Sequence, residues 1–327
     1  MDNVIKGSTA AKTIYGIEDV PSDTWLNYAY ALLVIAGSDH EVSSAEMKWL
    51  MSDFIAIINA PEDFIKEVKA FDFKKASLES ILPNIKFNVD INYKRVLLYD
   101  AIKMAYADDV YAESEKKAVI SAAKLLNVPV FLANTLEGLV RTEKSIETTR
   151  KSIFEVETLD WEELRSKPGV EMRKTTPLVK QTFGIEETTD AIDLNYGYAL
   201  MIIAGADGVV SEAEKNWYKN EFARMYKTPD HIIEKVLAVD FKELRLEKVI
   251  SDLSSDISIN HAKTLLYSSI KMARADQDYA EEEKEAVRKA AEHLHIPSNI
   301  ANTMNYLIDA ENKIEKMRKT LFELRNS

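Results

Sequence analysis

An all-α fold, laid out as two tandem copies of one helical module, is predicted by three observations. Apolar residues recur at three- and four-residue spacing, the chain aligns with itself at one constant shift, and a single Asp…Glu hairpin recurs four times. The spacing is clearest in Leu97, Leu98, Ala101, Ile102 and Ala105 and in Val119, Ala122, Ala123 and Leu126, and no strand-like alternation accompanies it. The repeat runs from Tyr15–Phe154 onto Phe183–Phe322 at a shift of about 168 residues without gaps, with roughly two aligned positions in five identical. At ordinary helix and loop lengths each module holds about seven helices.

Along the chain, Pro61, Pro129, Pro229 and Pro297 sit where a first helical turn tolerates a missing N–H. Asp72-Phe73 and Asp240-Phe241 read as caps followed by apolar staples. Residues 165–180 contain Pro168, Gly169 and Pro177 among polar residues and read as a linker, which divides the chain into modules 1–164 and 181–327. The last helix of each module is long. In the second, Ile300, Met304, Leu307, Ile314, Met317, Leu321 and Leu324 keep a rhythm of threes, fours and sevens that suits packing on its own domain or a seam for a partner or for self-association.

Composition narrows the function. The 54 acidic against 42 basic residues give a net charge of −12, a field that repels phosphate backbones, and no basic run offsets it, so nucleic acid is not an expected partner. Zero cysteines remove thiolate nucleophiles, iron–sulfur clusters and cysteine-ligated zinc. The longest apolar stretch, Tyr28–Gly37, is far short of the roughly 20 residues that span a bilayer, and Met1–Ala11 has no signal-peptide core. No membrane insertion and a cytoplasmic location are the expectations.

The four hairpins carry the chemistry. They read Ala-Gly-Ser-Asp-His-Glu-Val-Ser-Ser-Ala-Glu at 36–46 and Ala-Tyr-Ala-Asp-Asp-Val-Tyr-Ala-Glu-Ser-Glu at 105–115, with equivalents ending at Glu214 and Glu283. Asp39, Asp108, Asp207 and Asp276 share one position, and Glu46, Glu115, Glu214 and Glu283 the other. Asp207-Gly208 through Glu214 has the spacing of the second half of an EF-hand loop. Ile203 and Gly205 stand where the first ligands would be, so no complete EF-hand exists. One such loop supplies two or three oxygens, whereas two converging loops would pool enough carboxylate for a hard dication. Two other readings stay open. Ser43-x-x-Glu46 and Ser211-x-x-Glu214 are capping boxes, and the extra Asp109, Glu113, Asp278 and Glu281 suit a solvated acidic face at helix starts.

Leu200 through Glu214, read as Leu-x-x-x-Ala-x-Ala-Asp-Gly-x-Val-Ser-x-x-Glu, resembles the TerB-like family of tellurite-resistance proteins, as does Met272-Ala273-Arg274-Ala275-Asp276 followed by Glu283. Both stretches recur in the first module, with His40 in place of the glycine at 208. The resemblance implies two tandem TerB-like modules, each internally pseudo-symmetric, in a protein tied to stress response, tellurite resistance or phage defence. It implies no enzymatic activity. It also implies a divalent cation, calcium first, held by Asp39, Glu46, Asp108 and Glu115 in one module and Asp207, Glu214, Asp276 and Glu283 in the other.

Enzyme readings lack their parts. His40, His231, His261, His293 and His295 form no i, i+4 pair around a Glu and read as surface or helix-end residues; phosphate loops and nucleophile elbows are missing. The paired carboxylates read as exposed turn residues with nothing to shift their pKa values. Tyr28, Tyr30 and Trp49, with counterparts Tyr196, Tyr198 and Trp217, read as core, while Trp25, which pairs with Asp193, reads as a surface feature peculiar to the first module. The expectation is a non-enzymatic cation-binding protein. The alternative is a metal-free interaction scaffold that uses its long terminal helices and acidic faces.

Overall fold

In a computed structural model of the chain, residues 4–6, 15, 19–87, 92–108, 111, 113–154, 171–254, 258–276 and 278–323 are described, and helix dominates among them. The all-α expectation holds. Two short ladders depart from it: Val4–Lys6 pairs antiparallel with Asp19–Pro21, and Arg173–Lys174 with Glu187–Thr188. Each precedes the first long helix of its repeat, Ser22–Ala36 and Asp190–Ala204. At two or three residues a side, such ladders carry no alternation long enough to read from sequence.

The chain forms two compact units: unit 1 joins two separate segments, Met1–Lys144 and Lys313–Ser327, and unit 2 is the continuous stretch Ser145–Asn312. In unit 2 the helix Asp190–Ala204 is central and packs on Asp230–Leu237, Leu246–Ser254 and Ile259–Ala273. Its apolar residues point all round, as a helix buried on every side requires. Gly197 admits the Val236 methyls, and Gly205 at its end lies against the Phe241 ring so closely that a Cβ would overlap it. In unit 1 the equivalent helix Ser22–Ala36 packs on Glu62–Ala70, Leu78–Ile81, Tyr93–Ala105 and Glu113–Leu125, with Gly37 against Phe73 in the same way. The Asp-Phe dipeptides at 72–73 and 240–241 are therefore lids over a helix end, a use the cap-and-staple pattern does not disclose.

Trp25 is not a surface residue. It is 2% exposed, with Tyr28, Phe54 and Phe87 edge-on at 5.0–5.6 Å from its ring. Its counterpart Asp193 is equally buried and answers to polar partners: Arg173, Thr188 Oγ1 at 2.6 Å and Thr228 Oγ1 at 2.8 Å. Unit 1 places its own buried acid elsewhere, at Asp100, which accepts hydrogen bonds from Tyr28 OH at 2.7 Å and Tyr15 OH at 3.2 Å. Burial pushes Asp100 up to about 7 and Asp193 up to about 6. The two units have thus exchanged aromatic for ionic packing under one helical frame.

The Gly205 contact is testable. Gly205→Ala should lower stability by about 1–3 kcal/mol through overpacking. Gly138→Ala, where a Cβ meets nothing within 4 Å, should leave the thermal midpoint unchanged or raised. Equal midpoints for the native protein and Gly205→Ala would contradict the contact.

Candidate functional site

The site of unit 2 is built from two hairpins, each a tight turn followed by a helix whose third residue is Glu. In the first, the turn Gly205–Asp207 closes through Gly208 N–H to Gly205 O at 2.9 Å, with Gly208 at φ 107°, a left-handed angle open to glycine. Asp207 Oδ1 accepts the Val209 N–H at 2.9 Å, an Asx turn that fixes the loop. Ser211 then caps the helix Glu212–Trp217: its hydroxyl accepts the Glu214 N–H at 3.2 Å, and Glu214 Oε2 accepts the Ser211 N–H at 2.7 Å. In the second hairpin Asp276 Oδ1 accepts the Asp278 N–H at 3.0 Å, and Glu283 Oε2 accepts the Ala280 N–H at 2.7 Å. Ala280 has no hydroxyl, so only the Glu half of the box forms there.

Capping does not exhaust these glutamates. The helix Glu281–His293 rests on the turn Gly205–Asp207, which brings the hairpins together. Glu214 and Glu283 are only 2% and 4% exposed, and their carboxyl groups lie within hydrogen-bond reach of each other. Two carboxylates are both acceptors, so that contact requires one proton between them. Burial first, then the charges of Glu214 and Asp207, push Glu283 up to about 8. Burial likewise raises Glu214, and the charge of Asp276 adds to it. Glu214 Oε1 is buried with no donor. The glutamates are therefore neither exposed nor unperturbed, which corrects the reading of exposed turns; at the third helical position a Glu looks inward when the facing element is another turn rather than water.

Unit 1 repeats the frame. The helix Glu113–Leu125 rests on the turn Gly37–Asp39, and the helix Ser44–Trp49 on Tyr106–Asp108. Ser43 and Glu46 make the same box at 3.2 and 2.7 Å, and Glu46 and Glu115 are 3% and 8% exposed. His40 closes the first turn at φ 78°, donating its N–H to Gly37 O at 2.9 Å, so the turn survives without glycine. The side chains of Asp39 and Asp108, and all of Asp109, lie outside the described residues.

Among the described residues no group of three or more His, Asp or Glu is close enough to hold a metal ion. Glu214 and Glu283 meet, whereas Asp207 and Asp276 are exposed and engaged with their own loops. Of the surplus acids, Glu113 and Glu281 pair with Lys116 at 2.7 Å and Lys284 at 2.6 Å on the surface. His261 is fully buried at a helix start, its Nδ1 2.8 Å from Ser258 Oγ, and burial lowers it to about 4. It is a core residue. Asp100 and Asp193, which sequence reasoning passed over, carry the other strongly perturbed acids, and a lone Asp in an apolar helical run such as Leu97–Ala101 was the signal for the first.

An all-helical unit whose acidic hairpins set two buried glutamates together is the class of domain that the geometry defines. Residues 193–304, which contain both hairpins of unit 2, match the family model of the tellurite resistance protein TerB. The chain is also similar to the crystal structure of a tellurite resistance protein from Nostoc punctiforme, with 26% identity over 46% of this chain and 92% of that one and a TM-score of 0.40. Comparison with curated proteins finds no match. No helix among the described residues is long and apolar enough to cross a membrane.

The proton between the glutamates has a sign. A folded value of about 8 against the ordinary 4.5 means that the folded state prefers the protonated form of Glu283. Its stabilisation is therefore full below about pH 4.5 and lost as pH rises through about 8. In chelator-treated protein the thermal midpoint should fall across that window, and Glu283→Gln should flatten the fall. An unchanged slope in Glu283→Gln would show that the pair carries no shared proton.

Proposed function

We propose that this chain is a non-enzymatic, tellurite-resistance-type protein whose paired hairpins bind a divalent cation, calcium first. The observation that carries the reading is the Glu214–Glu283 pair: two buried carboxyl groups brought together from separate hairpins. Such a pair needs a positive charge, and a dication supplies more than a proton does. Asp207 and Asp276 act on the pair electrostatically and would join it by leaving their Asx turns, with water and backbone carbonyls filling a shell of six to eight oxygens. A closed pair without cation and an opened pair with one is a fit that needs loop adjustment rather than refolding.

The repeat extends the proposal to the first module, 1–164, as a second TerB-like copy beside 181–327. There Asp39, Glu46, Asp108 and Glu115 hold the matching positions. Two linked sites of modest strength would respond together to a rise in cation concentration. The tellurite-resistance setting comes from the family match over residues 193–304.

Calorimetric titration of chelator-treated protein with calcium and then magnesium tests this. The proposal expects saturable binding and a stabilisation of about 2.7 kcal/mol at a hundredfold excess over Kd. Glu214→Gln with Glu283→Gln should abolish one binding event while helicity by circular dichroism stays native. No heat and no midpoint shift with either ion would reject it.

A further inference from the structure

In both units the end of a long helix fills an aromatic slot by seating a phenylalanine on a tyrosine. Phe322, after the helix Ser298–Leu321, meets Tyr99 with ring centroids 5.1 Å apart, and Phe154, after the helix Val130–Ile153, meets Tyr267 at 5.7 Å. Each tyrosine donates to a glutamate, Tyr99 to Glu143 at 2.7 Å and Tyr267 to Glu311 at 2.5 Å. Each glutamate faces an arginine and a lysine: Arg318 at 3.6 Å and Lys103 at 3.8 Å from Glu143, Arg150 at 2.6 Å and Lys271 at 3.5 Å from Glu311.

The residue after the tyrosine breaks the likeness. Unit 1 places a second acid there, Asp100, which accepts the hydroxyls of Tyr15 and Tyr28 and feels the charge of Lys103. At the matching positions unit 2 has Ser268 for Asp100 and Phe183 for Tyr15, and Tyr196, which matches Tyr28, donates to the His261 carbonyl instead. Smaller side chains and one acid fewer therefore stand beside Lys271. A cavity of about 190 Å³ opens at that place. Phe183, Trp217, Met225 and Tyr267 give it apolar walls, and the Phe183 and Tyr267 rings lie 5.8 Å apart. Arg150, Lys271 and the buried Ser268 supply its polar groups.

Size and chemistry together specify the occupant. An apolar cavity of about 150 Å³ holds benzene, so 190 Å³ accommodates one ring with a small substituent. Three aromatic walls and a thioether suit the face and edge of a ring. Two cations that share Glu311 leave positive charge for an anion, while Glu221, the other acid that lines the cavity, is exposed and screened by water. We propose that the cavity between Phe183, Trp217 and Lys271 binds a small aromatic carboxylate, its ring against the aromatic walls and its carboxylate toward Lys271, Arg150 and the Ser268 hydroxyl. None of these residues belongs to the Glu214–Glu283 pair, and the binding requires no metal cation.

Benzoate is the probe, titrated into the full chain in the presence of chelator so that the result is independent of the hairpins. The indole N–H resonance of Trp217 should shift saturably in the millimolar range, while that of Trp49, its counterpart in unit 1, stays in place. Benzamide, the neutral analogue, should bind about tenfold more weakly, and Lys271→Met should bring benzoate down to the level of benzamide. Phe183→Tyr combined with Ser268→Asp, the pair that unit 1 accommodates as Tyr15 and Asp100, should keep native helicity and lose benzoate binding; Lys271→Met carries the test should that double variant fold poorly. An unmoved Trp217 resonance overturns the site. Equal affinities for benzoate and benzamide overturn its choice of an anion, and undiminished benzoate binding in the folded variants overturns its placement.

Discussion

Two carboxyl groups held side by side out of water cannot both be ionised without a positive charge between them. Unit 2 holds Glu214 and Glu283 in that relation, and much of its architecture follows from keeping them there. Each Glu is fixed by the backbone N–H three residues before it, Gly208 gives the first turn its left-handed bend, and Gly205 lets Phe241 seal the end of the central helix on which that turn sits. With the helix Glu281–His293 resting on the same turn, the pair is shut off from solvent. Burial and the charge of neighbouring carboxylates raise the affinity of both carboxyl groups for a proton.

Much of this frame was legible in the sequence. Helical spacing named the class, the Ser-x-x-Glu boxes at 43–46 and 211–214 named two helix starts to the residue, and Asp207 with Gly208 named the turn. The burial of the glutamates was not legible, because a capping box looks the same whether its Glu faces water or another hairpin. Trp25 was misread for a related reason: a repeat comparison marks it as different from Asp193 but cannot say that both are buried. The short ladders escaped because two or three residues show no period.

The two units bury their acids differently within similar helical surroundings. Asp193 sits on a guanidinium and two threonine hydroxyls, while Asp100 accepts from two tyrosine hydroxyls, feels the charge of Lys103 and is pushed further up, to about 7. Both glycine-to-phenylalanine contacts and both aromatic slots for the helix ends are kept. The two units thus differ in their buried acids while both keep the tight turn and the glycine under a phenylalanine ring. The sequence hinted at the slots through the rhythm of the last helix, but Arg150 and Arg318 show why spacing alone could not place them: their partners, Glu311 and Glu143, are about 160–175 residues away.

The account stands or falls on what lies between Glu214 and Glu283 when calcium is present. Crystals grown with chelator and then soaked in calcium, measured for anomalous scattering, address it directly. The account predicts an anomalous peak about 2.3–2.6 Å from oxygens of both glutamates, with the carboxyl groups moved apart from their chelated positions. Carboxyl groups still facing each other at hydrogen-bond distance with no peak between them would contradict it.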